Sequence, residues 1–179
     1  MVDHLGMVHG RFQPVHNEHL LYILRGLSRC SRLVIGITNP DASEYKASSL
    51  SPHRHNEEAN PYTYFQRMEM IRECLVDEHI DLARISLIPF HLFAPDKWHY
   101  YLPPPEAVVQ YVRAFSSWED EKIALFQKYG YRVEVLDRRM TKTVEGTQVR
   151  TIMREGGNWR QLVPPGTARV IDKVNTGDL

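Results

Sequence analysis

The segment Gly10-Arg11-Phe12-Gln13-Pro14-Val15-His16-Asn17-Glu18-His19 holds two imidazoles three residues apart, with a guanidinium just upstream. Leu20, Leu21, Ile23, Leu24 and Leu27 follow at helical spacing, so His16 and His19 lie on one face at the start of a helix. Backbone N–H groups at such a start already favour anions. Two imidazole donors, Arg11 and a helix N-terminus suit a polyphosphate whose charge grows during reaction. The segment is neither a dinucleotide fingerprint nor a P-loop, because it lacks the glycines and the Lys-Ser/Thr pair those sites use. Isolated histidines are ordinary surface or core residues, and His4, His79 and His91 are read that way.

Three stretches carry a resemblance. Gly10 to His16, followed by His19, resembles the HxGH motif of the nucleotidyltransferase superfamily. The Gly-Arg-Phe-Gln-Pro lead-in is similar to its nicotinamide-mononucleotide adenylyltransferase branch, especially the archaeal type. Asn60-Pro61-Tyr62-Thr63 with Gln66-Arg67-Met68-Glu69-Met70 resembles that family's Asn-Pro-Phe-Thr and Glu-Arg-Met-Glu-Met segment. Gly146-Thr147-Gln148-Val149-Arg150, then Trp159 and Leu162-Val163-Pro164, resembles its C-terminal Ser-x-Thr-x-x-Arg signature.

The resemblance implies nucleotidyl transfer. An acceptor's phosphate or phosphonate oxygen attacks the α-phosphorus of a nucleoside triphosphate, and pyrophosphate leaves. No covalent enzyme intermediate is expected, so catalysis is positioning plus charge stabilisation. His16 and His19 are implied as catalytic residues on the α and β phosphates. Arg150 is implied with Thr147 on the β and γ phosphates. Gly10, Arg11, Phe12 and Gly146 are implied in nucleotide binding. Mg2+ is expected through the triphosphate, with no protein metal ligand. The leading specific reading is ATP plus nicotinamide mononucleotide to NAD. An alternative is cytidylyl transfer from CTP to a small phosphonate acid, and a third is a non-catalytic nucleotide sensor. Arg67, mid-helix, is either structural or directed at a phosphate.

The chain departs from the pattern at two carboxylates. Glu18 stands where the motif has glycine, and Glu145 where the C-terminal signature has serine. Three roles are open to each: pointing away, binding Mg2+ through an oxygen, or weakening triphosphate binding by repulsion. On the acceptor side, His53-Arg54-His55 is either a lid that clamps a second anion or a solvated loop. Trp98, beside His99, Tyr100 and Tyr101, either stacks on a base or packs under the proline-rich loop. It falls one position out of step with the tryptophan that stacks on nicotinamide in the family.

Elements that position these residues alternate strand and helix for the whole length. Strands are expected over 5–9, 32–38, 85–88 (stopped by Pro89), 108–115 and 131–136. Helices are expected over 17–28, from Thr63 with Gln66 in a capping box, over 117–129, and around 147–155, 158–162 and 167–174. Phe65, Met68, Ile71 and Leu75 make the expected buried face of the helix after Thr63. The stretch 39–62 reads as a long loop, and 90–106 as irregular because of Pro95 and Pro103 to Pro105. This pattern predicts an α/β fold: a Rossmann-like parallel five-stranded sheet with helices on both faces. One domain, 1–179, is expected, with C-terminal helices from about 147.

Composition narrows the partners. The 179 residues carry 22 Lys+Arg against 22 Asp+Glu, and a net charge of zero argues against a duplex nucleic-acid binder. Cys30 and Cys74 show no zinc or redox spacing and read as buried small hydrophobes. Met1 to Leu5 lack the basic stretch and long apolar run of a signal peptide, so none is expected, and no segment approaches the run of about 20 apolar residues a membrane span requires. The expectation is a cytoplasmic protein with no membrane partner and a possible homo-oligomer.

Overall fold

A computed structural model of the protein describes residues 4–41, 57–115, 117–137 and 143–179. The His53-Arg54-His55 triplet lies outside the described residues. Five strands, β1 (Leu5–Gly10), β2 (Arg32–Thr38), β3 (Ile85–Phe90), β4 (Val108–Arg113) and β5 (Arg132–Asp137), form one sheet in the order β3-β2-β1-β4-β5. Every pairing is parallel, and Leu5 is in register with both Arg32 and Val108. This is the Rossmann-like parallel five-stranded sheet predicted, and the order is fixed by the pairings. Strand order reverses between β1 and β4, the place where open parallel sheets bind ligands.

The helices are α1 (Asn17–Leu27), α2 (Tyr64–Asp77), α3 (Trp98–Tyr101), α4 (Ser117–Lys128), α5 (Gly146–Arg154) and α6 (Pro165–Thr176). The Thr63/Gln66 capping box is present in both directions: Gln66 N donates to Thr63 Oγ1 at 3.2 Å and Thr63 N to Gln66 Oε1 at 3.1 Å. No helix among the described residues is long and apolar enough to cross a membrane.

Several boundaries differ from the expectation for physical reasons. β3 runs through Pro89, which is aligned with Ile37. It is an edge strand, where a missing donor is tolerated. The 90–106 stretch is not wholly irregular, because Pro95 opens a helical turn that leads into α3. β4 ends at Arg113, where the pairing with β5 shifts by one residue. On α2 the buried side chains are Arg67, Met70, Ile71, Cys74 and Leu75, while Phe65 is 52 % exposed. The buried face is therefore rotated from the one expected, toward a charged residue.

The chain forms two compact units that interleave along the sequence. The sheet unit draws on Met1–Gly10, Tyr22–Asn39 and Ala83–Lys142. Its core includes Met7, Phe90, Trp98, Phe126 and Tyr131. Tyr22 Oη donates to the Tyr111 carbonyl at 2.5 Å, and Arg25 and Arg113 share Asp137 Oδ2 at 2.9 and 3.3 Å. The helical unit draws on Arg11–Leu21, Pro40–Leu82 and Thr143–Leu179. There α6 lies so close on α2 that a Cβ at Gly166 would stand 2.6 Å from Cys74 N. Arg169 ties the same pair by reaching Glu73 at 2.9 Å and Asp77 at 2.7 Å. Both cysteines are free and buried, as expected.

Candidate active site

Immediately after β1 the chain makes a tight loop whose shape is imposed by side chains elsewhere in the helical unit. Phe12 is fully buried with φ +54, a left-handed conformation that an L residue adopts only when its surroundings hold it. Three clamps do so. Arg67 Nη1 donates to the Arg11 carbonyl at 2.8 Å, while its Nε donates to the Thr63 carbonyl at 3.2 Å. The Gln13 amide pairs twice with the Tyr62 backbone: its Nε2 donates to Tyr62 O at 2.8 Å and its Oε1 accepts from Tyr62 N at 3.0 Å. Arg150 Nη1 donates to the Gln13 carbonyl at 2.6 Å. The motif loop, the start of α2 and the first turn of α5 are thereby joined.

The histidines follow. The His16 carbonyl accepts from His19 N at 2.8 Å and Leu20 N at 3.1 Å, so His16 opens α1. The two rings stack with centroids 3.6 Å apart and planes 23° from parallel. The His16 backbone N–H donates to His19 Nδ1 at 3.4 Å. A neutral imidazole that accepts at Nδ1 carries its proton on Nε2. His19 is thus set as an Nε2 donor, the form that can bind a phosphate oxygen. The buried Phe12 ring meets His19 edge-on at 4.9 Å, so Phe12 positions the histidine rather than lining a ligand surface.

Arg150 also donates through Nη2 to Thr147 Oγ1 at 3.1 Å. Burial, with Arg154 adding repulsion, holds its pKa below the usual guanidinium value. Gly146 is required by close approach, since a Cβ there would stand 2.8 Å from the Gln13 carbonyl oxygen. The two carboxylates that break the motif part company. Glu18 is buried and accepts a hydrogen bond from the Thr143 hydroxyl, linking the start of α1 to the run-in of α5. Glu145 is exposed at the N-cap of α5 and its side chain makes no cap bond. Among the described residues no group of three or more His, Cys, Asp or Glu could hold a metal ion.

Of the residues singled out from sequence, Arg11, Phe12, His16, His19, Gly146, Thr147 and Arg150 all belong to the helical unit. Gly10 closes β1 one bond before them. Trp98 belongs to the core of the sheet unit. It is 2 % exposed, its Nε1 donates to the His91 carbonyl at 2.9 Å, and Phe90, Phe126, Tyr129 and Tyr131 surround it. Packing, not base stacking, is its role here. Sequence reasoning missed Gln13 and Tyr62 as clamps and left Arg67 undecided. The signal for Arg67 was available: a charge three and four residues before Met70 and Ile71, on their apolar stripe.

The arrangement presents an imidazole donor, a helix start and a half-buried guanidinium in one loop system, which suits charge developing on phosphate oxygens. A cytidylyltransferase-like family model matches residues 7–164. The chain is 39 % identical over 166 residues to a phosphonoformate cytidylyltransferase of Streptomyces viridochromogenes, spanning 93 % of this chain and 89 % of that one. It is 31 % identical over 172 residues to a nicotinamide-nucleotide adenylyltransferase of Saccharolobus solfataricus, spanning 94 % and 90 %. A bifunctional NMN adenylyltransferase/ADP ribose pyrophosphatase from Francisella tularensis shares the fold, with TM-score 0.67 at 18 % identity. That match covers 97 % of this chain and 50 % of the longer one.

Proposed function

The chain belongs to the cytidylyltransferase-like family of nucleotidyltransferases, and from that premise we propose that it moves a cytidylyl group from CTP to a small phosphonate acid. The observation that carries the choice is the 39 % identity to a phosphonoformate cytidylyltransferase, against 31 % to an adenylyltransferase over a similar span. The sequence alone ranked these two in the other order.

In the proposed reaction a phosphonate oxygen of the acceptor attacks the α-phosphorus of CTP. A new P–O bond forms, the bond to the bridging oxygen breaks, and pyrophosphate departs with that electron pair. His19, donating from Nε2, and the neighbouring His16 stabilise charge on the α and β phosphates. Arg150 and Thr147 hold the β and γ phosphates, with Arg11 as a further cation. Mg2+ held through the triphosphate oxygens would supply neutralisation of part of the phosphate charge. Gln13, Tyr62 and Arg67 keep the loop in the shape that this positioning requires.

A matrix of nucleoside triphosphates against acceptors, read by pyrophosphate release and product mass, tests the proposal. CTP with phosphonoformate giving a cytidylyl phosphonate is the expected result. ATP with nicotinamide mononucleotide giving NAD, and no CTP product, assigns the chain to the adenylyltransferase reading instead. Persistent absence of pyrophosphate assigns it to nucleotide sensing.

A further inference from the structure

The sheet unit holds a polar pair for which the proposed chemistry has no use. His9 is the penultimate residue of β1, the strand that adjoins β4 where strand order reverses. Its ring is 7 % exposed, and neither Nδ1 nor Nε2 has a hydrogen-bond partner. Phe90 and Phe126 wall it, with ring centroids 5.5 and 5.3 Å away. Gln110 of β4 is fully buried and in register with Met7, two residues before His9, so both point to one face of the sheet. Gln110 Nε2 donates to Met7 Sδ at 3.3 Å, while its Oε1 has no partner.

Three buried polar atoms without partners destabilise a fold, and native proteins rarely keep them without a use. Apolar residues would pack better among Met7, Phe90 and Phe126. Burial, with Lys122 of α4 as the nearby cation, keeps the His9 imidazole neutral, so the ring carries one donor and one acceptor. Together with Gln110 Oε1 the pair calls for a ligand that both accepts and donates. A phosphonate bearing one proton does both through its charged oxygens and its P–OH. Lys122 adds positive charge that suits such an anion.

We propose that His9 and Gln110 are acceptor-binding residues, which hydrogen-bond the phosphonate group of a small acid at the carboxyl end of β1. The His9 N–H donates to a charged oxygen, and the P–OH donates to Gln110 Oε1 or the bare imidazole nitrogen. The identity of the acceptor rests on the cytidylyl-transfer reading; the polar pair does not.

The test is steady-state kinetics of His9→Leu and Gln110→Leu, varying phosphonoformate and CTP in turn. Calorimetric titration of methylphosphonate in the presence of a non-hydrolysable CTP analogue runs beside it. In His9→Leu the acceptor KM rises at least about tenfold, the loss expected for a buried hydrogen bond to an anion. KM for CTP stays within about twofold, and the thermal midpoint is equal or higher because unpaired polar atoms have been removed. His9→Gln, which keeps a donor and an acceptor, recovers part of the acceptor affinity and serves if the leucine variant does not fold. An unchanged acceptor KM overturns the proposal, and so does a lower midpoint with normal acceptor binding, since the ring is then paired inside the fold. Should the wild type turn over no phosphonate yet bind methylphosphonate more tightly than His9→Leu, the cytidylyl-transfer reading fails and the subsite stands. Should it turn over phosphonoformate no better than His9→Leu does, the subsite alone falls.

Discussion

Arg67 decides whether the motif loop is shaped by charge inside the fold or by charge aimed at the ligand. Its side chain is 1 % exposed, and two of its nitrogens donate to backbone carbonyls, Arg11 O at 2.8 Å and Thr63 O at 3.2 Å. Replacing it with methionine keeps the volume and removes both bonds. Each hydrogen bond from a charged donor contributes about 1.5–3 kcal/mol, so the loss is about 3–6 kcal/mol. Domains of this size lose roughly 2–4 °C of Tm per kcal/mol, so Arg67→Met melts at least about 6 °C below wild type. Differential scanning calorimetry without ligand measures this directly. Arg67→Lys recovers little, because one ammonium cannot reproduce the two-point fork. A Tm within about 2 °C of wild type, together with a raised KM for the nucleoside triphosphate, would refute the reasoning. A residue held ready for a phosphate lends the empty fold little stability, and its loss shows only in binding.

His19→Ala lowers kcat by about 10²–10³ in a pyrophosphate-release assay, the usual loss for one transition-state donor, with CTP binding by calorimetry nearly unchanged. Gly146→Ala places a methyl 2.8 Å from the Gln13 carbonyl oxygen and 3.2 Å from Arg150 Nη1. It destabilises by about 1–3 kcal/mol in denaturant titration and raises KM for the triphosphate, because α5 must move off the loop. Burial and then Lys122 depress the His9 pKa in the folded state, so the unfolded chain binds the extra proton. The stability tied to the neutral ring is fully present above the unfolded histidine value of about 6.5 and is lost as pH falls below it. Tm measured from pH 8 to 5 therefore falls less steeply for His9→Leu than for wild type.

Much of the architecture was legible because each strand is a short apolar run closed by a turn residue. All five strands were found, and their parallel pairing is the pattern that alternation with helices implies. What escaped was tertiary in origin. Pro89 reads as a stop, yet an edge strand needs no donor there, and only the sheet order shows that β3 is an edge. The face of α2 was misread because only apolar residues were placed on it, while Arg67 was left between a structural and a phosphate-directed role. A guanidinium can be buried when carbonyls take its protons, and those carbonyls lie 56 and 4 residues away in sequence. Residue types and spacing singled out His16, His19 and Arg150, which the fold places with the motif loop in the helical unit. They did not show that Gln13 and Tyr62 clamp the loop, because a glutamine that bonds backbone at both ends has no sequence signature.

The clamps also change the meaning of the balanced charge. Counting cations near the motif suggests a strongly positive pocket, but Arg67 donates to the carbonyls of Arg11 and Thr63, and Arg150 to that of Gln13. Carbonyls so engaged absorb part of each guanidinium's hydrogen-bonding capacity. In a planar trans peptide the C=O and the following N–H point in opposite directions, so turning the Arg11 carbonyl toward Arg67 turns the Phe12 N–H away from it. On the proposed reading the cations act in part by aiming backbone dipoles, which suit a developing anion without long, mobile side chains to reorganise. Glu18 fits the same logic. Its carboxylate is engaged by the Thr143 hydroxyl, so the extra negative charge in the motif ties α1 to the approach of α5. A site built mainly from fixed dipoles and imidazole donors needs little net positive charge, and a chain with 22 basic and 22 acidic residues can supply it.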